Sequence, residues 1–257
     1  MSYIGQKDLF LEIARGNVPG ITHVNKFGEN TSVDSGVDSD IWDLVTQPIW
    51  LAPTAARIHA IVSTDASDDG SPAGRGCRTI RVYGLTSWSS AEVSEDITLN
   101  GTSSVNTSNS YVIIHRMKML TCGDLGPNAG IITATAASDS TITAEIRAGE
   151  GQTQMAIYGI PSTQTGYMTN FYASAVKAAV GASVSLKLLV CTVPGSEEGV
   201  FTTKSTAGLA TGGSNYIENN SRPYRAIPGP AIVKIQANSS SNGTNVSAGF
   251  DLILVDN

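Results

Sequence analysis

Hydrophobic and polar positions divide this chain into a polar front and a body of short apolar runs. In Tyr3 to Ala14, the apolar residues Ile4, Leu9, Phe10, Leu11 and Ile13 do not fall cleanly on one helical stripe, although Leu9, Phe10 and Ile13 can share a face. The segment predicts a helix of about two to three turns, marginal by itself. Gly16, Pro19 and Gly20 stop it. From Arg15 to Asp40 there is no hydrophobic period, and the isolated apolar residues Val24, Phe27, Val33 and Val37 stand among Asn, Ser, Gly and Asp. Ordering such a stretch costs backbone entropy that its few apolar side chains do not offset. Residues 1–40 therefore read as an assembly arm whose sparse apolar groups plug into a neighbouring subunit.

The body reads as strand and turn. Short strands are expected at Ile41–Val45, Pro48–Leu51, Ala56–Val62, Thr79–Leu85, Glu92–Gly101, Tyr111–Leu120, Gly130–Ala136 and Ser140–Arg147. The pair Thr79–Leu85 and Glu92–Gly101, around the turn at Trp88, predicts a hairpin or meander. The glycine-marked stretch Ala148 to Gly151 makes the best internal boundary. The pattern then restarts at Gln154–Ile160, Tyr167–Ala175, Val184–Val193, Ala231–Ala237 and Ala248–Val255. Tyr172 to Gly181 also suits a short helix, and Gly195 to Arg225 has weak periodicity, as an excursion at a module edge would. The fold class is all-β: an arm over 1–40, a first β module over 41–150 and a second over 151–257, each sandwich-like or barrel-like.

At 257 residues the chain can bury a substantial core without staples. Its three cysteines, Cys77, Cys122 and Cys191, have neither paired nor metal-ligand spacing, the pattern of reduced thiols in a protein made in a cytosol. Met1 to Phe10 holds no run long enough for a signal sequence, so neither secretion nor a membrane span is expected, and sequons such as Asn106-Thr107-Ser108 read as unmodified loops. The net charge is −6 with 15% charged residues and no basic block, which disfavours a nucleic-acid partner.

Catalytic signals are weak. His23, His59 and His115 lack zinc-site spacing, and neither a Gly-x-Ser-x-Gly elbow nor a phosphate loop is present. Glu92, Glu95 and Asp96 read as a solvated hairpin face, although paired carboxylates for glycoside cleavage are brought together only by a fold. Asp65, Ser67, Asp68 and Asp69 before Gly70 resemble part of a calcium loop, but Gly76 stands where its bidentate glutamate belongs; a polar hairpin loop is the simpler account. No cofactor or metal is expected. Trp42 and Trp50 sit in apolar contexts at the junction of arm and body, as anchors of a core or an interface, whereas Trp88 lies in a turn.

Several short words carry a resemblance. Met1-Ser2-Tyr3-Ile4-Gly5, Gly16-Asn17-Val18-Pro19-Gly20, Asn25-Lys26-Phe27-Gly28 and the run from Thr79-Ile80-Arg81-Val82-Tyr83-Gly84-Leu85 to Glu95-Asp96-Ile97-Thr98-Leu99-Asn100-Gly101 resemble virion structural proteins of tailed bacteriophages, a group common among marine phages. The likeness covers most of residues 1–150 and, more loosely, Ile160-Pro161, Gly166-Tyr167 and Ala248-Gly249-Phe250. It implies a non-enzymatic virion protein, made in the host cytoplasm and assembled into a phage particle, without fixing its position there. An arm in front of compact β modules fits a capsid auxiliary protein, trimeric by analogy, that contacts itself and the major capsid protein. The alternative is a tail or fibre protein that recognises host glycans through Gly195 to Arg225, with Tyr216 and Tyr224. A glycan depolymerase is the third reading. The expected assembly-interface residues are Ile4, Phe10, Leu11, Phe27, Trp42 and Trp50.

Overall fold

Strand residues alternate between two faces, so each strand sorts its side chains into an inward and an outward row. The computed structural model describes residues 8–177, 181–195, 199–212 and 215–257. In chain order, helix α1 (Leu9–Ala14) precedes β1 (Ile21–Val33) and β2 (Ser39–Asp40). The middle of the chain supplies β3 (His59–Ser63), β4 (Cys77–Leu85), β5 (Val93–Thr98), β6 (Val105–Asn106), β7 (Ile113–Cys122), β8 (Ile132–Ala136) and β9 (Thr141–Ile146). The remainder supplies β10 (Ile157–Ile160), β11 (Gln164–Val176), β12 (Ser183–Cys191), β13 (Thr202–Ala210), β14 (Tyr216–Pro228), β15 (Ala231–Ser239) and β16 (Thr244–Asp256). The all-β fold class holds.

Among the described residues the strands form four sheets whose ladders are antiparallel. An outer sheet has the order β1-β16-β11-β14, and a central sheet the order β10-β15-β12-β13 with β2 beside β15. Two smaller sheets run β6-β3-β8-β9 and β5-β4-β7. The expected hairpin is there: Thr79 pairs with Thr98 and Gly84 with Val93.

The central sheet is covered on both faces. Ala231, Val233, Ile235 and Ala237 of β15 join Val246, Ala248, Phe250, Leu252 and Leu254 of β16 in the core against the outer sheet. Ile232, together with Ile157 and Cys191 from the same sheet, turns the other way, into a core shared with Ile80, Val82, Ile113, Met117, Trp42 and Trp50. The two cores are thus separated by one strand layer. Each large side chain fully buried in them contributes about 1.5–3 kcal/mol, and a sheet buried on both faces reads in the sequence as continuous apolar runs such as Leu188–Cys191.

The structure corrects the arm. Ile21–Val33 is the edge strand of the outer sheet, paired with the C-terminal strand from Ile21↔Val255 to Val33↔Thr244, and Ser39–Asp40 pairs with β15. The period of two was hidden because the inward positions of β1 carry Lys26, Gly28 and Asn30, all buried. The second β unit therefore includes strands from residues 1–40, and the described residues ahead of β1, 8–20, stand outside the sheets. Within it a helix forms: the Asp8 carboxylate accepts the Phe10 N–H at 3.0 Å, and the chain leaves the helix through Gly16 at φ +72°.

Two other expectations shift, and the strand expected at Tyr167–Ala175 holds against its helical alternative where it is described. Ile41–Val45 and Pro48–Leu51 are turns rather than strands. Tyr172–Val176 continues β11, while residues 178–180 of the helical alternative lie outside the described residues. Gly195 to Arg225 holds β13 and most of β14, the free edges of the central and outer sheets. Their periodicity is weak because positions facing solvent at an edge carry Thr, Ser, Lys and Asn.

Candidate functional site

The most developed polar site lies in the seam where β1 meets the smaller sheets. Gly28 makes this approach possible, because a Cβ there would stand 2.5 Å from Ala156 N and 2.6 Å from Ile41 O. Basic side chains cross the seam onto β1: Arg116 Nη2 donates to Asn25 O at 2.9 Å and Arg147 Nη2 to Glu29 Oε2 at 2.5 Å. Arg147 Nε also lies 3.0 Å from Asp43 Oδ1, without the geometry of a hydrogen bond. Burial pushes the Asp43 carboxyl up to about 7, against the Gln154 N–H and the Arg147 charge.

At one end of the seam a cavity of about 190 Å³ is lined by His23, Asn25, Lys26, Tyr83, Glu92, His115, Arg116 and Tyr158, with Val24 beside them. Lys26, an inward residue of β1, is buried and donates from Nζ to His115 O. Burial, then the Arg116 charge, hold its ammonium pKa well below the lysine range. His115 is also buried, and its Nε2 lies 2.6 Å from Glu92 Oε2. Burial lowers its pKa, outweighing Glu92, so the neutral ring donates Nε2–H to the carboxylate. Burial by itself would raise Glu92, but the His115 bond and the Lys26 and Arg116 charges carry it below the usual carboxyl range. The Tyr158 hydroxyl donates to the same oxygen at 3.4 Å, and its ring lies 4.5 Å from that of His115.

Chemically the site is a neutral imidazole bonded to a carboxylate, with the Lys26 and Arg116 side chains beside them. Its lining includes no serine, threonine or cysteine to serve as nucleophile. The imidazole has Nε2 committed to Glu92, while buried Nδ1 has no partner among the described residues. The site fixes two sheets against β1 and offers Glu92 to solvent. The sequence reading placed His115 on a strand and Glu92 on a solvated face, but Lys26, Arg116 and Tyr158 were missed: their convergence depends on a contact between β1 and β7 that no spacing encodes.

The predicted interface residues separate into two groups. Trp42 and Trp50 are 0% and 2% exposed, inside the chain's own core, with Trp42 Nε1 donating to Gln47 O at 3.0 Å and Trp50 Nε1 to Thr143 O at 2.8 Å. This corrects their assignment to an assembly surface: a tryptophan in an apolar context has found its partners within the fold. Phe10 and Leu11 are 53% and 47% exposed on α1, which rests on the outer sheet through buried Ile13. Phe27 is half-buried on the outward row of β1 and lines, with Tyr172 and Tyr216, a depression of about 400 Å³. A separate hollow under α1 is lined by Phe10, Ile13, His23, Asp251 and Ile253. The structure thus gathers Phe10, Leu11 and Phe27 on the outer sheet's outward side. Ile4 lies outside the described residues.

The loop that resembles a calcium site has other employment. Asp68 is buried and accepts from Ser63 Oγ, Cys77 N, Ala129 N and Gly130 N, while Asp65 and Asp69 accept the Ser67 and Ser71 N–H groups. Among the described residues no group of three His, Cys, Asp or Glu side chains is placed to hold a metal ion, and no helix is long and apolar enough to cross a membrane. No protein-family model matches the chain, and no curated protein matches it in sequence.

Proposed function

We propose that this chain is a non-enzymatic structural subunit of a tailed-bacteriophage particle, a capsid auxiliary protein that attaches through the segment ahead of β1 and the outward side of the outer sheet. The observation that carries the reading is the exposure of Leu9, Phe10 and Leu11 on a capped helix that seats only Ile13. Apolar side chains presented together on a short helix gain their free energy when a neighbouring subunit covers them. The words that resemble phage virion proteins include two residues of this same side, Asn25 and Phe27. The partners would be further copies of the chain, as a trimer, and the major capsid protein.

The test is the double variant Phe10→Ser, Leu11→Ser. Both positions are exposed, so the variant keeps the far-ultraviolet spectrum and unfolding midpoint of the parent. It is expected to lose incorporation into particles; full incorporation would sink the reading. Deletion of residues 1–40 would not serve, because it removes β1 from its sheet.

A second reading, a tail or fibre protein that binds host glycans, is favoured by one feature. Phe27, Tyr172 and Tyr216 line one depression beside the polar Gln154, Ser174 and Ser247, and aromatic faces with hydroxyl and amide neighbours are the chemistry sugars stack on. Binding of the purified protein to host lipopolysaccharide that Tyr216→Ala abolishes would move the assignment there.

A further inference from the structure

β4 and β7 place Cys77 directly opposite Cys122, and both thiols are free. The backbone bonds around this pair fix its type. Gly123 N donates to Gly76 O at 2.8 Å, while Cys77 N is turned to the Asp68 carboxylate at 2.7 Å. A bond joining the residue after one cysteine to the residue before the other marks a non-hydrogen-bonded cross-strand pair. In such pairs the Cα atoms stand about 4.5 Å apart and the two side chains share a face at their closest approach. A disulfide spans about 4.4–6.8 Å between Cα atoms, so the spacing typical of such a pair falls within bridging distance.

We propose that Cys77 and Cys122 form a latent disulfide, a cross-strand staple between β4 and β7 that closes when the folded protein meets a small disulfide oxidant. The proposal is independent of the role in a particle. The asymmetry of the pair sets the order of steps. Cys122 is exposed and Cys77 buried. The Cys122 thiolate attacks oxidised glutathione, forming a mixed disulfide and releasing one glutathione thiolate. Cys77 then gives up its proton and attacks the Cys122 sulfur; the second glutathione leaves, and one disulfide has been reduced to two thiols as two protein thiols are oxidised to one bridge. The second step is the slow one. Cys77 Sγ must leave Thr79 O, 3.6 Å away, and burial, then the Asp68 charge, holds its thiol above the usual thiol range. Closure therefore accelerates as pH rises. Cys191, buried on β12 in the central sheet, stands apart from the exchange.

The experiment is incubation of the reduced full-length protein with oxidised glutathione, alkylation under denaturing conditions and non-reducing peptide mapping. The expected product is a monomer in which the peptides of Cys77 and Cys122 are joined and Cys191 is alkylated. Its unfolding midpoint rises and returns on reduction. In Cys77→Ser the reaction stops at glutathione bound to Cys122. A wild-type product that carries glutathione on Cys122 without bridging, a dimer joined through Cys122, or three thiols that remain alkylatable would each overturn the proposal.

Discussion

Lys234 Nζ lies 2.6 Å from Asp40 Oδ2, with the two side chains 3% and 0% exposed. The ammonium also stands 4.3 Å from the centre of the Phe201 ring, and the carboxylate accepts Trp50 N at 2.8 Å and Gln236 Nε2 at 3.2 Å. This cluster joins the chain leaving β1 to the face of the central sheet that carries Trp42 and Trp50. Burial raises the Asp40 carboxyl even against the Lys234 charge, so the cluster pins a position more than it adds stability.

Removing one partner strands the other charge in the core. Asp40→Asn is expected to lower stability by about 3–5 kcal/mol, and Asp40→Asn with Lys234→Met to recover much of that loss. Urea midpoints of the two variants measure it. A single variant within about 0.5 kcal/mol of the parent would mean that the Lys234 charge reaches water.

The seam gives a steric prediction. At Gly28 an added methyl meets Ala156 N at 2.5 Å, Ile41 O at 2.6 Å and Gln154 O at 2.9 Å, all backbone atoms that cannot swing aside. Gly28→Ala should cost about 1–3 kcal/mol by overpacking. Gly208→Ala, where the nearest atom stands at 4.0 Å on the exposed strand β13, should be neutral or slightly stabilising. Equal losses at both positions would show that strand conformation, not the approach of β1, sets the cost.

These two sites show what the sequence disclosed and what it withheld. Alternation in Ala248–Val255 and the turn signals around Trp88 identified β16 and the β4–β5 hairpin, because one apolar row faces a core. β1 escaped notice because its inward row is Lys26, Gly28 and Asn30, chosen for a polar seam and a close approach instead of for burial. Its pairing partner is β16, at the far end of the chain, so no local pattern reports it. Lys26, Glu92, His115 and Arg116 were visible singly, and their meeting is a property of the topology.

His59 gives the chain an acid-sensitive contact. The ring is buried; Nδ1 lies 3.0 Å from Arg57 O, and Nε2 has no partner among the described residues. Burial lowers its pKa to about 4, against the Arg57 carbonyl and Asp139. Protons therefore favour the unfolded chain between about pH 6.5 and 4, and the stability His59 contributes, on the order of 3 kcal/mol, is present above that window and lost as pH falls through it. His59→Gln should flatten the urea midpoint between pH 7 and pH 4 relative to the parent. Parallel pH profiles would assign the acid sensitivity elsewhere, with His115 the next group to test.

Asp68 decides whether the acidic loop is a turn or an ion site. Oδ1 accepts Cys77 N at 2.7 Å and Ala129 N at 2.8 Å, and Oδ2 accepts Ser63 Oγ at 2.6 Å and Gly130 N at 2.8 Å. Three of the four donors are backbone N–H groups that cannot reverse their polarity. In Asp68→Asn the new amide nitrogen is best placed at the Oδ2 position, donating to Ser63 Oγ, which leaves the Gly130 N–H facing another donor. That orphaned group should cost about 1–3 kcal/mol, more than an exposed loop carboxylate would. Calcium gives the converse reading: with both carboxylate oxygens already filled by protein donors, millimolar calcium should leave the thermal midpoint of the parent unchanged. A calcium-dependent rise that Asp68→Asn removes would instead mean that the loop opens to bind the ion.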